Sequence, residues 1–76
     1  MTKQIDIKEL IPFMKRGWVA CDENGTWCWF SAKPKLKIRN GYWYCSGKYC
    51  EEIPYIFNIA PAEDWTKSLI RIKGGK

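Results

Sequence analysis

The sequence contains no histidine, and this absence removes several kinds of catalytic site at once. A serine or cysteine nucleophile activated by an imidazole base needs histidine, as does a histidine-ligated metal centre. No glycine-rich phosphate loop occurs either. The adjacent carboxylates Glu51–Glu52 and Glu63–Asp64 would point to opposite faces of a strand, so neither makes an acid–base pair. We therefore predict a protein that is not an enzyme, with no cofactor and no small-molecule substrate.

Long apolar runs are also missing from the chain. No segment approaches the ~20 apolar residues of a membrane span, and residues 1–9 contain no apolar core of a secretory signal. These absences predict a cytoplasmic protein without membrane contact, whose thiols stay reduced. There is no repeat, low-complexity tract or linker, so residues 1–76 are expected to form one domain with 74–76 as a flexible tail.

The chain contains fewer acidic than basic residues. It has 13 Lys and Arg and 8 Asp and Glu, which gives a formal net charge of +5. This excess favours a polyanion or an acidic protein surface as the partner, although it also lies within the ordinary range for a soluble small domain. Hydrophobic residues make up 46 % of the chain and aromatic residues 16 %. Such a chain should fold around a small core filled by large rings.

The N-terminal segment has the pattern of a short amphipathic helix. Asp6 and Glu9 have the spacing of a capping box. One apolar helix face is formed by Ile7, Leu10, Ile11 and Met14. Pro12 interrupts this face and should kink the helix or split it into two short turns.

Two Asn-Gly pairs, Asn24–Gly25 and Asn40–Gly41, each separate β-prone segments and predict hairpins with two-residue type I′ turns. Further predicted elements are a turn at 46–48, a strand within 53–59, a helical turn at 63–68 and a last strand within 69–73. The predicted fold class is α+β and mainly β. A short N-terminal helix packs on a small antiparallel sheet of about four to six strands built from the two hairpins, either open or curled like a barrel.

The second predicted turn pairs Lys37 with Tyr44 and Ile38 with Trp43. One face of this hairpin then carries Leu36, Ile38, Trp43 and Cys45, and should be buried. The other face carries the candidate binding residues, which are Lys35, Lys37, Arg39, Tyr42 and Tyr44. Cations interleaved with aromatic rings suit the phosphates and bases of a single-stranded nucleic acid, and they suit an acidic protein surface equally well. The alternative is a solvated outer face without a partner.

In the first hairpin a two-residue turn places Cys21 opposite Cys28, on one face with Val19 and Phe30. The other face then carries Trp18, Ala20, Trp27 and Trp29. Both faces are apolar, so the hairpin should be sandwiched between other elements. If the N-terminal helix does not cover the tryptophans, they form an exposed contact patch.

The four cysteines, Cys21, Cys28, Cys45 and Cys50, leave three alternatives open. Opposite positions in a hairpin permit a disulfide between the first two, although a reducing compartment argues against it. Four thiolates could bind zinc, but the two pairs lack the tight spacing of common structural zinc sites. Reduced cysteines can also serve as small apolar core residues.

Particular segments of the chain carry a family resemblance. They are Gly17–Ala20, Asp22, Gly25, Trp29, Lys33–Pro34, Trp43, Phe57–Ile59 and Asp64–Leu69. Over roughly residues 5 to 72 the chain resembles small proteins encoded by phages and other mobile elements of bacteria. The resemblance implies action inside a bacterial cell by binding and blocking a host component, such as a nucleic-acid-guided defence complex.

Three functional hypotheses follow from these observations. The first is a non-enzymatic binding protein that engages and inhibits a bacterial host protein or ribonucleoprotein through the basic and aromatic side chains of the second hairpin. The second is a module that binds nucleic acid directly. The third is a structural domain stapled by zinc.

Overall fold

A computed structural model describes residues 3–45 and 50–73 of the chain. Within them the architecture is α+β and mainly β, with helix α1 at Ile7–Leu10. The strands are β1 (Gly17–Cys21), β2 (Trp27–Phe30), β3 (Lys35–Lys37), β4 (Tyr42–Tyr44), β5 (Cys50–Glu52) and β6 (Ile70–Ile72). Single turns of 3-10 helix lie at Ile11–Phe13, Tyr55–Phe57 and Trp65–Lys67.

The N-terminal helix begins with the predicted capping box. The Asp6 carboxylate accepts a hydrogen bond from the N–H of Lys8 at 2.9 Å, and the Glu9 carboxylate accepts one from the N–H of Asp6 at 3.3 Å. At Pro12 the α-helix gives way to a 3-10 turn, as expected for a residue without an N–H. Ile7 is buried and Met14 packs against the core, so the predicted apolar face points inward.

Four strands form an open antiparallel sheet in the order β5–β2–β1–β6. The sheet therefore has two edges and is not a closed barrel in the described part of the chain, which corrects the barrel-like alternative. The main core cluster lies on one face of this sheet, beneath α1, and consists of Ile7, Val19, Cys21, Trp27, Trp29 and Ile72. Ala20 and Phe30 are buried on the opposite face, so both faces of the first hairpin carry buried residues.

The first Asn-Gly turn is one residue longer than predicted. The N–H of Asp22 donates to the carbonyl oxygen of Thr26 at 2.8 Å, so the loop comprises residues 23–25. Gly25 has a φ of +91°, whereas Asn24 has no positive φ, which excludes a type I′ turn. The Asn24 side-chain oxygen instead accepts a hydrogen bond from the N–H of Thr26 at 2.9 Å. This local contact favours a turn in which glycine alone takes the left-handed conformation.

The longer turn shifts the register and corrects the predicted faces. Cys21 lies opposite Trp27 and Ala20 lies opposite Cys28, so the two cysteines are not cross-strand partners. Val19 and Cys21 share the core face with Trp27 and Trp29, because a shift of one residue moves every side chain of a strand to the other face. This register buries two large indoles against the helix, which favours it.

The second hairpin, β3–β4, forms a separate two-stranded sheet rather than extending the first. Its turn comprises residues 38–41, because the N–H groups of Asn40 and Gly41 both donate to the carbonyl oxygen of Lys37, at 2.9 and 3.0 Å. Lys37 consequently pairs with Tyr42 and Leu36 with Trp43, so the predicted pairings of Lys37 with Tyr44 and of Ile38 with Trp43 are wrong. The predicted burial is wrong for Leu36, which is 37 % exposed, and for Ile38, which is 63 % exposed in the turn.

The C-terminal part contains the predicted helical turn and last strand, at Trp65–Lys67 and Ile70–Ile72. The prediction of a strand within 53–59 is wrong. The strand in this part of the chain is β5, which ends at Glu52, and Tyr55–Phe57 forms a 3-10 turn after Pro54. Ile59 forms an isolated parallel bridge with Ile5. The turn predicted at residues 46–48 and the tail at 74–76 lie outside the described residues.

Candidate binding surface

The second hairpin brings four of the five predicted binding residues onto one face. Lys35 pairs with Tyr44, and Lys37 pairs with Tyr42. The register differs from the predicted one by two residues, and a shift of two preserves the face to which each side chain points. We call Lys35, Lys37, Tyr42 and Tyr44 the basic–aromatic face.

Arg39, the fifth predicted residue, is not on a strand. It lies in the turn at 38–41 and is exposed at the end of the hairpin. Its charge therefore extends the basic–aromatic face at the tip, and Arg39 has no cross-strand partner in the ladder of β3 and β4.

The side chains of this face are accessible, and one of its lysines lies over a tyrosine ring. Tyr42 and Tyr44 are each 41 % exposed, and both lysines are exposed. The Nζ atom of Lys37 lies 5.3 Å from the centroid of the Tyr44 ring, within the range of a cation–π interaction. The face thus presents two lysines, one of them beside a ring, and neither forms an ion pair with a carboxylate of the described residues.

Main-chain and side-chain hydrogen bonds fix the hairpin to the rest of the protein. The Asp22 carboxylate accepts a hydrogen bond from the N–H of Trp43 at 3.0 Å, and the N–H of Glu23 donates to the carbonyl oxygen of Gly41 at 2.9 Å. The indole N–H of Trp43 donates to the carbonyl oxygen of Trp65 at 3.1 Å. These contacts hold the inner side of the hairpin and leave the basic–aromatic face outward.

The cysteines include thiols with a low tendency to ionise. Burial raises the pKa of the Cys28 thiol to about 12, and the nearby carboxylates of Asp22 and Glu52 add to the shift. Burial likewise raises the pKa of Cys21. All four cysteines are free thiols. In residues 3–45 and 50–73, no three Cys, Asp or Glu side chains come together as metal ligands, so the geometry gives the zinc hypothesis no support.

An apolar hollow of about 260 Å³ on another side of the molecule was not predicted from the sequence. Its apolar lining includes Phe13, Met14, Trp29, Ile53 and Phe57. Phe13 is 86 % exposed and lies off the predicted apolar face of the helix. A large apolar residue outside that face is the sequence signal that could have indicated this hollow.

The comparisons with protein-family models, curated proteins and solved structures found no match to this chain. Phage or mobile-element origin therefore stays a prediction from the sequence resemblance. None of the helices in the described part of the chain has the length and apolar character that crossing a membrane requires.

Proposed function

We propose that this protein is a non-enzymatic binding protein that engages an anionic surface of a bacterial host protein or ribonucleoprotein with its basic–aromatic face. Engagement blocks the host component, which makes the protein an inhibitor that acts in the cytoplasm. The assignment to a host component rests on the resemblance to mobile-element proteins. The anionic character of the partner rests on the geometry of the hairpin.

The observation that carries the proposal is the pairing of lysine with tyrosine across β3 and β4. Lys35 lies opposite Tyr44 and Lys37 opposite Tyr42, and all four side chains are exposed. Interfaces use tyrosine because it supplies a large contact area with little loss of conformational entropy. Lysines beside the rings supply long-range attraction and select for a partner of opposite charge.

The rigid attachment of the hairpin also supports a binding role. Three hydrogen bonds join its inner side and its turn to Asp22, Glu23 and Trp65. A surface held in this way loses little conformational freedom when it binds, so more of the contact energy appears as affinity.

The test compares three forms of the protein in affinity capture from a bacterial lysate. The face variant carries Lys35→Glu, Lys37→Glu and Arg39→Glu. The matched control carries Lys3→Glu, Lys8→Glu and Lys73→Glu, three exposed cations outside the hairpin. Both variants lower the formal net charge of +5 by the same six units, so only the position of the change differs.

We expect the wild-type protein and the control to capture the same host component and the face variant to lose it. All three should have the same unfolding midpoint, because exposed substitutions change stability by only about 0.5 kcal/mol. Equal capture by the face variant and the control would show that the basic–aromatic face does not carry binding.

A further inference from the structure

A second cationic site lies on the four-stranded sheet, on the face opposite the main core cluster. Trp18 on β1 pairs with Arg71 on β6, so their side chains are direct neighbours on that face. Together with Lys33 and Leu69 they line a pocket of about 310 Å³. We call these four residues the cationic pocket.

The polar side-chain groups of the cationic pocket are all hydrogen-bond donors. The indole N–H groups of Trp27, Trp29 and Trp43 donate to main-chain carbonyl oxygens. The indole N–H of Trp18 has no such partner among the described residues, and it is not sealed from solvent. It therefore joins the guanidinium of Arg71 and the ammonium of Lys33 as a donor without an acceptor.

No carboxylate in residues 3–45 and 50–73 neutralises this site. None lines the pocket, and neither Lys33 nor Arg71 forms an ion pair within the described residues. The pocket thus combines an indole ring with two cations, and its polar side chains offer only hydrogen-bond donors. This combination suits a ligand in which an anionic group is attached to a flat ring system. Guanidinium and ammonium groups together are a common combination for phosphate.

Lys33 of the cationic pocket lies next to the basic–aromatic face along the chain. Lys33 precedes Lys35 by two residues, so their Cα atoms lie at most about 7 Å apart. Arg71, Lys33, Lys35 and Lys37 can therefore contact charges that repeat along an extended chain, which an isolated carboxylate does not provide.

We infer that the cationic pocket binds a backbone phosphate of a single-stranded nucleic acid, whose neighbouring phosphates run along Lys35 and Lys37. This inference rests on the proposed function, since it identifies the anionic surface of the partner as the RNA of a ribonucleoprotein. The bases of the strand stack on the exposed rings of Trp18, Tyr42 and Tyr44.

The experiment measures binding of a fluorescently labelled single-stranded RNA 12-mer of mixed sequence by anisotropy, over a series of salt concentrations. The pocket variant is Lys33→Gln with Arg71→Gln. The face variant is Lys35→Gln with Lys37→Gln, and the control is Lys3→Gln with Lys73→Gln. All three variants lose the same charge. A labelled polyglutamate peptide of equal length serves as the competing anionic probe.

The slope of log K against log salt is negative, and each phosphate contact contributes about 0.7 to its magnitude. For the RNA we expect the pocket variant to reduce this magnitude by about 0.7, because the pocket holds one phosphate. The face variant should reduce it by about 1.4, because Lys35 and Lys37 each contact one phosphate, and the control should not change it. A pocket variant that matches the control would overturn the inference while leaving the proposed function intact. A face variant that matches the control, with a pocket variant that loses binding, would overturn the proposed use of the hairpin instead.

The choice of phosphate is tested separately. Polyglutamate that binds as tightly as the RNA, with the same dependence on Lys33 and Arg71, would assign the pocket to an acidic protein. Failure of the wild-type protein to bind the RNA would also overturn the inference, and the lysate capture would still decide the proposed function. Trp18→Phe keeps the apolar ring but removes the donor, and it should weaken RNA binding severalfold without changing the salt slope.

Discussion

The carboxylate of Asp22 joins the two hairpins, because its Oδ1 atom accepts a hydrogen bond from the main-chain N–H of Trp43 at 3.0 Å. The same carboxylate lies 4.0 Å from the Sγ atom of Cys28. Burial raises the pKa of Asp22, the Trp43 N–H opposes this shift, and the charge of Glu52 adds to it. The site therefore needs the acceptor atom of Asp22 but not its negative charge.

Two substitutions at Asp22 separate these contributions. Asp22→Ala should lower the free energy of unfolding by about 1–2 kcal/mol, because the Trp43 N–H loses its partner in a half-buried interface. Asp22→Asn keeps an oxygen acceptor and should be neutral or stabilising at pH 7. Urea denaturation followed by circular dichroism measures both. A larger loss for Asn than for Ala would contradict this account of the site.

The difference in stability between the wild type and Asp22→Asn should depend on pH, and the direction of that dependence follows from the pKa of Asp22. A raised folded-state pKa means that the folded protein binds the proton more tightly than the unfolded chain does. Ionisation of Asp22 therefore costs stability as the pH rises from the ordinary pKa of 3.8 through the raised value. The stability of Asp22→Asn relative to the wild type should increase over that range. A constant difference from pH 3 to pH 7 would exclude the raised pKa.

The elements that could be predicted from the sequence are those with local signals. The capping box of Asp6 and Glu9 marks the start of α1, and Pro12 marks its end. Both hairpins form where an Asn-Gly pair separates β-prone residues. Strand β5 could not be found in this way, because Cys50–Glu52 contains no β-branched or aromatic residue. It pairs with β2 as an exposed edge.

The strand register of each hairpin depends on contacts that cannot be read from the Asn-Gly pattern. At the first turn, the Asn24 side chain bonds to the N–H of Thr26 and adds a residue to the loop. At the second, the carbonyl oxygen of Gly41 accepts a hydrogen bond from Glu23 of the other hairpin. The basic–aromatic face was grouped correctly because the second turn gained two residues, and an even shift preserves the side of each residue. Arg71 was missed because its place beside Trp18 depends on the pairing of β1 with β6.

The second hairpin turn is predicted to require Gly41 because of the backbone conformation at this position. Its φ of +79° lies in the left-handed region, which side chains other than that of asparagine adopt at a cost. Gly41→Val should lower the free energy of unfolding by ~1 kcal/mol or more, and Gly41→Asn should lower it less. Both variants bring a Cβ atom to the Oε1 atom of Glu23, so their difference reports the backbone conformation. Equal losses would show that the contact with Glu23 dominates.

The cysteines should react with alkylating agents in an order set by exposure and pKa. Cys50 is exposed, whereas Cys28 is half-buried with a pKa of about 12 and Cys21 is buried with a raised pKa. Because the thiolate is the reactive species, iodoacetamide at pH 8 should modify Cys50 well before Cys21 and Cys28. Peptide mapping by mass spectrometry gives the order. Cys50→Ser should abolish the fast phase, and early modification of Cys28 would contradict the prediction.

Trp18 and Trp27 should differ sharply in their contribution to stability although they lie on neighbouring strands. Trp27 is 5 % exposed, and its indole N–H donates to the carbonyl oxygen of Ala60 at 2.9 Å. Trp27→Phe removes that donor and leaves space in the core, so it should cost about 1–3 kcal/mol. Trp18 is half-buried, and its indole N–H has no partner among the described residues.

Trp18→Phe should therefore change the free energy of unfolding by no more than about 0.5 kcal/mol. Urea denaturation of the two variants under identical conditions measures the difference. A loss of unfolding free energy for Trp18→Phe as large as that for Trp27→Phe would mean that the Trp18 indole contributes to the fold and is not available for a ligand. A small loss keeps Trp18→Phe usable as a folded variant in the RNA experiment, where its effect then reports the ligand contact.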